Sequence, residues 1–331
     1  MFKINSLINR AKKLNKTIVF PEAEISDRVI KAVEYILKNK IANVILLGSP
    51  EKILAKSKKL KNAVIINPIN SELIPEMVDA LVELRKNKGL TKEEATELLK
   101  NNFYFASMLV KLNYADGYLG GAETSTADVL RPALQIIKTK PDVDIVSSCF
   151  MMVGTNKVGY GQNNVMFVSD CALNINPTAK DLKDITFSTV RTAKTFCDID
   201  PKVALLSFSS FGSGGNDNES IIKVREALKL IEQQDKQLDV DGEMQLDCAI
   251  VKEVAKLKGK GSKVAGHANI LIFPDLNAGN IGYKLMERFG RLQAVGVIMQ
   301  GFNQPVNDLS RGCQVKDIIV MTAITALQAE Y

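Results

Sequence analysis

A hydroxyl, a guanidinium and a thiol meet in the turn-rich stretch Gln300-Gly301-Phe302-Asn303-Gln304-Pro305-Val306-Asn307-Asp308-Leu309-Ser310-Arg311-Gly312-Cys313. Ser310 and Arg311 are fixed donors suited to an anion, the arginine through its planar fork. Cys313 has no base beside it in sequence, so a structural thiol is the expectation there. Three further stretches place small or polar residues between an apolar run and a helix start. Ala115 to Thr126 carries Gly120-Gly121 and the hydroxyls of Thr124, Ser125 and Thr126, with Arg131 one to two turns later. Ser207 to Asn216 carries Gly212, Gly214 and Gly215, without the Gly-Lys-Ser/Thr ending of an ATP-type loop or the spacing of a dinucleotide loop. Phe273 to Lys284 includes Asn280, Tyr283 and Lys284. Free N–H groups at a helix start attract anions. Each glycine stretch serves equally a tight turn or a ligand.

Composition narrows the chemistry. The one histidine, His267, excludes multi-histidine metal sites, and its Gly-His-Ala-Asn setting reads as a loop with a structural or solvated role. The net charge of +6 suits a polyanionic small molecule, whereas the scattered lysines and 6% aromatic content argue against nucleic acid. Five cysteines without a C-x-x-C pair fit reduced thiols. The start, Met1 to Ser6, has no long apolar stretch with a cleavage site, and no run approaches a membrane span. A cytoplasmic, non-secreted protein is therefore expected. With 331 residues, 46% of them apolar, the chain has material for two cores.

The elements that must position these loops read as alternating strands and helices. Thr17–Phe20 is a short β run followed by Ser26 as N-cap and by Val29, Ile30, Val33, Ile36 and Leu37 at helical spacing. Asn43–Gly48 and Ala63–Ile66 are further strands. Helices are expected over Ser71–Lys86 and from the capping-box pair Thr91/Glu94. A second series follows: strand Val165–Val168, a helix from Thr178, strand Val203–Ser207, a helix after Asn216, strand Ile270–Phe273, a helix near Gly279–Phe289 and the apolar segment Ala294–Met299. This pattern predicts an α/β protein of two lobes, each a mainly parallel sheet with helices on both faces. The last helix, Val315–Ala329, has no sheet of its own nearby. The first lobe is therefore expected to be discontinuous, 1–145 plus 298–331, around a second lobe at 146–297.

Pro305 to Cys313, taken with Phe273 to Lys284, closely resembles the phosphate acetyl/butyryltransferase family, and within it the phosphate acetyltransferases. The resemblance spans essentially the whole chain. It includes Pro21-Glu22, Arg85-Lys86-Asn87-Lys88-Gly89, Asp116-Gly117 through Arg131, and Asp241-Gly242-Glu243-Met244-Gln245. Phosphate butyryltransferases and the carboxy-terminal part of large malic enzymes are similar but less close. Two departures are visible: Val297 stands where family members commonly have Pro, and Gln314 where they have Ser.

The resemblance implies a homodimer with its active-site cleft between the lobes, taking acetyl-CoA and phosphate to acetyl phosphate and coenzyme A by direct phosphate attack, with no metal or other cofactor. By position in the motif, Ser310 would hydrogen-bond the thioester transition state, Arg311 would hold phosphate, and Asp317 would manage the thiol proton. Arg85 and Arg131 would contact coenzyme A phosphate or the reacting phosphate, and Ser125, Thr126, Asn280, Tyr283 and Lys284 are the further substrate-binding candidates. Donors aimed at a forming oxyanion contribute roughly 3–4 kcal/mol each in a dry site, and holding the reactants together supplies of order 7–11 kcal/mol at best. The alternatives are butyryl or propionyl transfer, a metal-dependent NAD(P) dehydrogenase on a similar scaffold, and a non-catalytic coenzyme A-binding protein. The dehydrogenase would need a carboxylate metal cluster and a cofactor loop, and neither stands out.

Overall fold

The computed structural model describes residues 2–154, 160–259 and 261–330. It divides into two compact units, Ile4–Lys140 with Phe302–Tyr331 and Met1–Lys3 with Pro141–Gly301. Each is an α/β unit.

The first unit begins with α1 (Asn5–Ala11), β1 (Thr17–Phe20), α2 (Asp27–Lys38), β2 (Asn43–Leu47), α3 (Pro50–Lys56) and β3 (Val64–Ile66). It continues with α4 (Ile74–Leu84), α5 (Lys92–Leu99), α6 (Asn102–Lys111), β4 (Gly117–Gly120) and α7 (Thr126–Ile136). The chain then builds the second unit from β5 (Ser147–Val153), β6 (Val165–Ser169), α8 (Ala179–Phe196), β7 (Lys202–Leu206), α9 (Glu219–Gln234) and β8 (Asp239–Met244). Short α10 (Leu246–Ile250) and α11 (Lys252–Lys258), then β9 (Ile270–Ile272), α12 (Leu276–Arg288) and β10 (Gln293–Gln300) complete it. Finally β11 (Val306–Asp308) and α13 (Val315–Gln328) return to the first unit, where Thr139 pairs antiparallel with Phe302.

The first sheet runs β11-β4-β1-β2-β3, all parallel. Helix α2 buries one stripe, inserting Val29, Ile30, Ala32, Val33 and Ile36, and Ser26 caps it by accepting the Val29 N–H. Helix α13 is different. Ile318, Ile319, Met321, Ala323, Ile324, Ala326 and Leu327 are all buried, and the hydroxyls of buried Thr322 and Thr325 donate to the carbonyls of Ile318 and Met321. It is a core helix, packed against α1, α2 and the sheet.

The second sheet runs β10-β5-β6-β9-β7-β8; β5 is antiparallel to both neighbours and the other pairs are parallel. Two of its strands escape the sequence reading. Ser147–Val153 opens with two serines and a cysteine, and Asp239–Met244 is half polar, so neither shows the β-branched run expected of a buried strand. The stretch read as a loop before Ser310 likewise contains β11, where Asn307 and one oxygen of Asp308 find partners within the protein. Helix α4 starts at Ile74, later than the expected Ser71, since Pro75 occupies the first turn, where a missing N–H does no harm.

Candidate active site

Strands β4 and β11 lie side by side with Asp308 opposite Gly120, and the Leu309 N–H donates to the Gly120 carbonyl at 2.6 Å. Two loops therefore leave the sheet's carboxyl edge as neighbours, which is where open α/β sheets bind ligands. One, 121–125, leads to α7 through Ser125, whose hydroxyl accepts the Asp128 N–H as N-cap. The other, 309–314, carries Ser310 and Arg311 into α13. Buried Asn307 donates its amide to Thr325 Oγ1 (2.9 Å) and Gln328 Oε1 (2.6 Å), and Asp308 Oδ2 accepts the Thr126 hydroxyl at 2.6 Å. Gly121 is required here. Its φ is +92°, and a Cβ would stand 2.0 Å from Asp308 Oδ1.

The N–H groups of the first loop, a candidate anion site on sequence grounds, are taken by the protein itself. Glu22, just beyond β1, accepts from Ala122 N (2.7 Å), Glu123 N (2.9 Å), Thr124 N (2.9 Å) and Thr124 Oγ1 (2.9 Å). Arg28 on α2 then ties the two loops together. Its Nη1 donates to the carbonyls of Arg311 (2.8 Å) and Cys313 (2.7 Å), and its Nη2 to the Ala122 carbonyl (2.5 Å) and Glu123 Oε1 (2.9 Å). The bond to Glu123 holds the guanidinium's proton more firmly than usual.

What stays available is cationic. Ser310 and Arg311 are exposed. Among the described residues, Arg28, Arg191, Arg225 and Arg288 are held in ion pairs, whereas Arg85, Arg131 and Arg311 are in none. Arg131 is exposed on α7. Arg85 ends α4 and lines a cavity of ≈590 Å³ with Lys88, Glu94, Glu97 and Tyr104, apart from the two loops. Asp317 accepts the Gln314 N–H at 2.8 Å, so it closes the start of α13. Cys313 is buried, and burial pushes its thiol up to about 11 although Arg28 works the other way. That is a poor nucleophile. Burial likewise pushes Asp308 up to about 6, the Thr126 hydroxyl opposing and the charge of Glu22 adding.

The second unit repeats the device. Glu243 on β8 fills the 207–216 loop, accepting from Gly212 N (2.8 Å), Ser209 Oγ (2.8 Å) and Arg225 Nε (2.7 Å). Burial works to raise its carboxyl, but Arg225 and the loop donors outweigh it and bring it to about 2. Asp170 accepts from the N–H groups of Ala172, Leu173 and Asn174, and from the Ser148 hydroxyl. On α12, Asn280 donates to the Cys171 carbonyl at 3.1 Å and the Tyr283 ring stacks on Phe150 at 4.1 Å, while Lys284 is exposed. His267 is exposed in a loop. Among the described residues no three His, Cys, Asp or Glu side chains gather as a metal would need, and no helix is long and apolar enough to cross a membrane.

A family described as phosphate acetyl/butaryl transferase matches residues 2–326. The chain belongs to this family. It is 48% identical over 329 residues to a phosphate acetyltransferase of Thermoanaerobacterium thermosaccharolyticum, covering 99% of each chain. It is 47% identical over 331 residues to one of Acetivibrio thermocellus, covering 99% of this chain and 98% of the other. Among solved structures, a phosphotransacetylase from Streptococcus pyogenes is 43% identical, covers 99% of both chains and superposes with a TM-score of 0.92.

In this member of the family, three residues that shape the first unit's loops carry no local sign of that role in the sequence. Glu22 and Asp308 sit in stretches that carried the resemblance, but a lone carboxylate after a strand has no local signature. Arg28 reads as an ordinary charge on the polar face of α2. Only the fold reveals that its face turns toward residues 311 and 313, which lie more than 280 positions along the chain.

Proposed function

We propose that this chain interconverts acetyl-CoA and phosphate with acetyl phosphate and coenzyme A. The observation that carries the reading is the identity of 48% over 329 residues, 99% of each chain, to a phosphate acetyltransferase. In the proposed ternary complex a phosphate oxygen attacks the thioester carbonyl carbon, the carbonyl becomes an oxyanion, and the C–S bond then breaks to release the thiolate. Arg311, exposed and outside any ion pair, holds phosphate. Ser310 beside it donates to the oxyanion, where one fixed donor contributes roughly 3–4 kcal/mol. Asp317 manages the thiol proton: its carboxylate takes up the proton lost by the attacking hydrogen phosphate and passes it to the departing thiolate, and in the other direction it takes the proton from the coenzyme A thiol.

The carboxylate-filled loops support this division of labour. With the N–H groups of Ala122, Glu123 and Thr124 taken by Glu22 and that of Gly212 by Glu243, substrate anions fall to side-chain cations, and the reading assigns Arg85, Arg131 and Lys284 to the phosphates of coenzyme A. Ser125, Thr126, Asn280 and Tyr283, whose side chains already make contacts within the protein, shape the walls of the site. No metal takes part, and the protein works as a cytoplasmic homodimer. Acetyl is favoured over butyryl or propionyl by the relatives' names, and one methylene changes selectivity by only ~1–3 kcal/mol.

The test follows thioester absorbance as purified protein meets acetyl phosphate and coenzyme A, with and without EDTA, beside Arg311→Ala. Thioester formation indifferent to EDTA and lowered about 10²–10³-fold in the variant is expected. No thioester from acetyl phosphate, with turnover of butyryl phosphate instead, would move the assignment to the longer acyl group.

A further inference from the structure

Asp308 is two residues before Ser310, 3% exposed, and only half satisfied: Oδ2 accepts the Thr126 hydroxyl at 2.6 Å, while buried Oδ1 has no hydrogen-bond partner. A buried carboxylate oxygen without a donor is an expensive arrangement. The surroundings make it worse. Glu22, beyond β1, is the charged group whose field it feels, and Tyr118 on β4 is the other titratable group coupled to it. From α7 it meets a hydroxyl and from the 121–125 loop the bare Cα of Gly121, and among the described residues no lysine or arginine bonds it. A sequence chosen for stability alone would place Asn or an apolar residue here. Discomfort of this kind concentrates where function requires it.

We propose that Asp308 is a positioning residue: its carboxylate, gripping the Thr126 hydroxyl, locks the loop carrying Ser310 and Arg311 to the start of α7 and so fixes where those two side chains stand. The inference rests on the reading of Ser310 and Arg311 given above. The backbone joins the same loops only at Leu309–Gly120, before Ser310 is reached. Side-chain ties stand on either side of that point: Thr126–Asp308 one residue before it, and Arg28 after it, on the carbonyls of Arg311 and Cys313. Protonating Asp308 replaces a charge-assisted bond by a neutral one and loosens the lock.

Asp308→Asn keeps the shape and an acceptor for Thr126 and removes the charge. In the full-length protein it is expected to lower kcat about tenfold, with KM for coenzyme A changed less than about twofold, while the thermal midpoint holds or rises. The wild-type kcat falls on acidification through about pH 6, and the variant is flat there at the low level. Thr126→Val reproduces the loss in kcat, and Thr126→Ser, which keeps the hydroxyl, restores it. An unchanged kcat in Asp308→Asn, a parallel fall of kcat and thermal midpoint as for an ordinary structural residue, or an acidic limb surviving in the variant each overturns the proposal. A wild type that makes no thioester from acetyl or butyryl phosphate removes the parent reading, and this one with it; a wild type with normal turnover beside an unaffected Asp308→Asn removes this one alone.

Discussion

Replacing Glu243 by Gln removes one charge from a site that is 2% exposed and changes almost nothing in size. The carboxylate lies between Arg225, Gly212 N–H and the Ser209 hydroxyl, and these donors bring it from an ordinary 4.5 to about 2 in spite of burial. That difference of about 2.5 in pKa, at about 1.4 kcal/mol each, makes the ionised form worth roughly 3 kcal/mol of stability at pH 7. The sign follows from a folded value below the unfolded one. The stabilisation is present above 4.5 and drains away as pH falls toward 2, leaving about 2 kcal/mol at pH 3.5 and about 1 at pH 2.5. Glu243→Gln abolishes this dependence, and its amide turns a donor toward donors already in place. Urea unfolding of both proteins, followed by circular dichroism at pH 7 and 3.5, tests it. The variant should be less stable by about 3 kcal/mol at neutral pH, with the gap narrowing by about a third at the acid end. A gap that is absent at pH 7, or that stays constant across this range, would refute the claim that an ionised Glu243 holds the 207–216 loop.

Arg28→Lys should lower kcat about tenfold and stability by about 2 kcal/mol in urea unfolding, since an ammonium cannot span the four acceptors the guanidinium reaches. A variant with wild-type turnover would show that the backbone of residues 311–313 needs no tie. Ile324→Ala, at a fully buried position of α13, should cost about 2–5 kcal/mol by the same assay, and a loss under about 1 kcal/mol would contradict the description of α13 as a core helix.

The alternation of strands and helices was legible because local signals and burial agreed. Ser26, Thr91 with Glu94, and Thr178 cap helices as their side chains suggest, and the apolar runs at 17–20, 43–47 and 203–206 are buried strands. What stayed hidden depended on partners far along the chain. The stretch Val306–Asp308 is two-thirds polar, yet it becomes a buried strand because Thr325 and Gln328 engage Asn307 and Thr126 engages one oxygen of Asp308. The glycine loops were visible as sites for negative charge, and negative charge is what they hold. Nothing local reveals that it comes from within, from Glu22, 100 positions from Ala122, and from Glu243, 31 from Gly212. The exposed set of Ser310, Arg311 and Arg131 could be named by motif, but its supports could not.

The chain leaves the first unit at Lys140 and re-enters at Phe302, beside Thr139. During synthesis the second unit can therefore emerge from the ribosome whole and collapse while β1 to β4 still lack their edge strand and α13. The segment that supplies both also carries Ser310 and Arg311. A chain that terminates between residues 300 and 306 has one finished sheet and one unfinished, sticky edge, and lacks the loop that carries Ser310 and Arg311. Such fragments are natural prey for proteases.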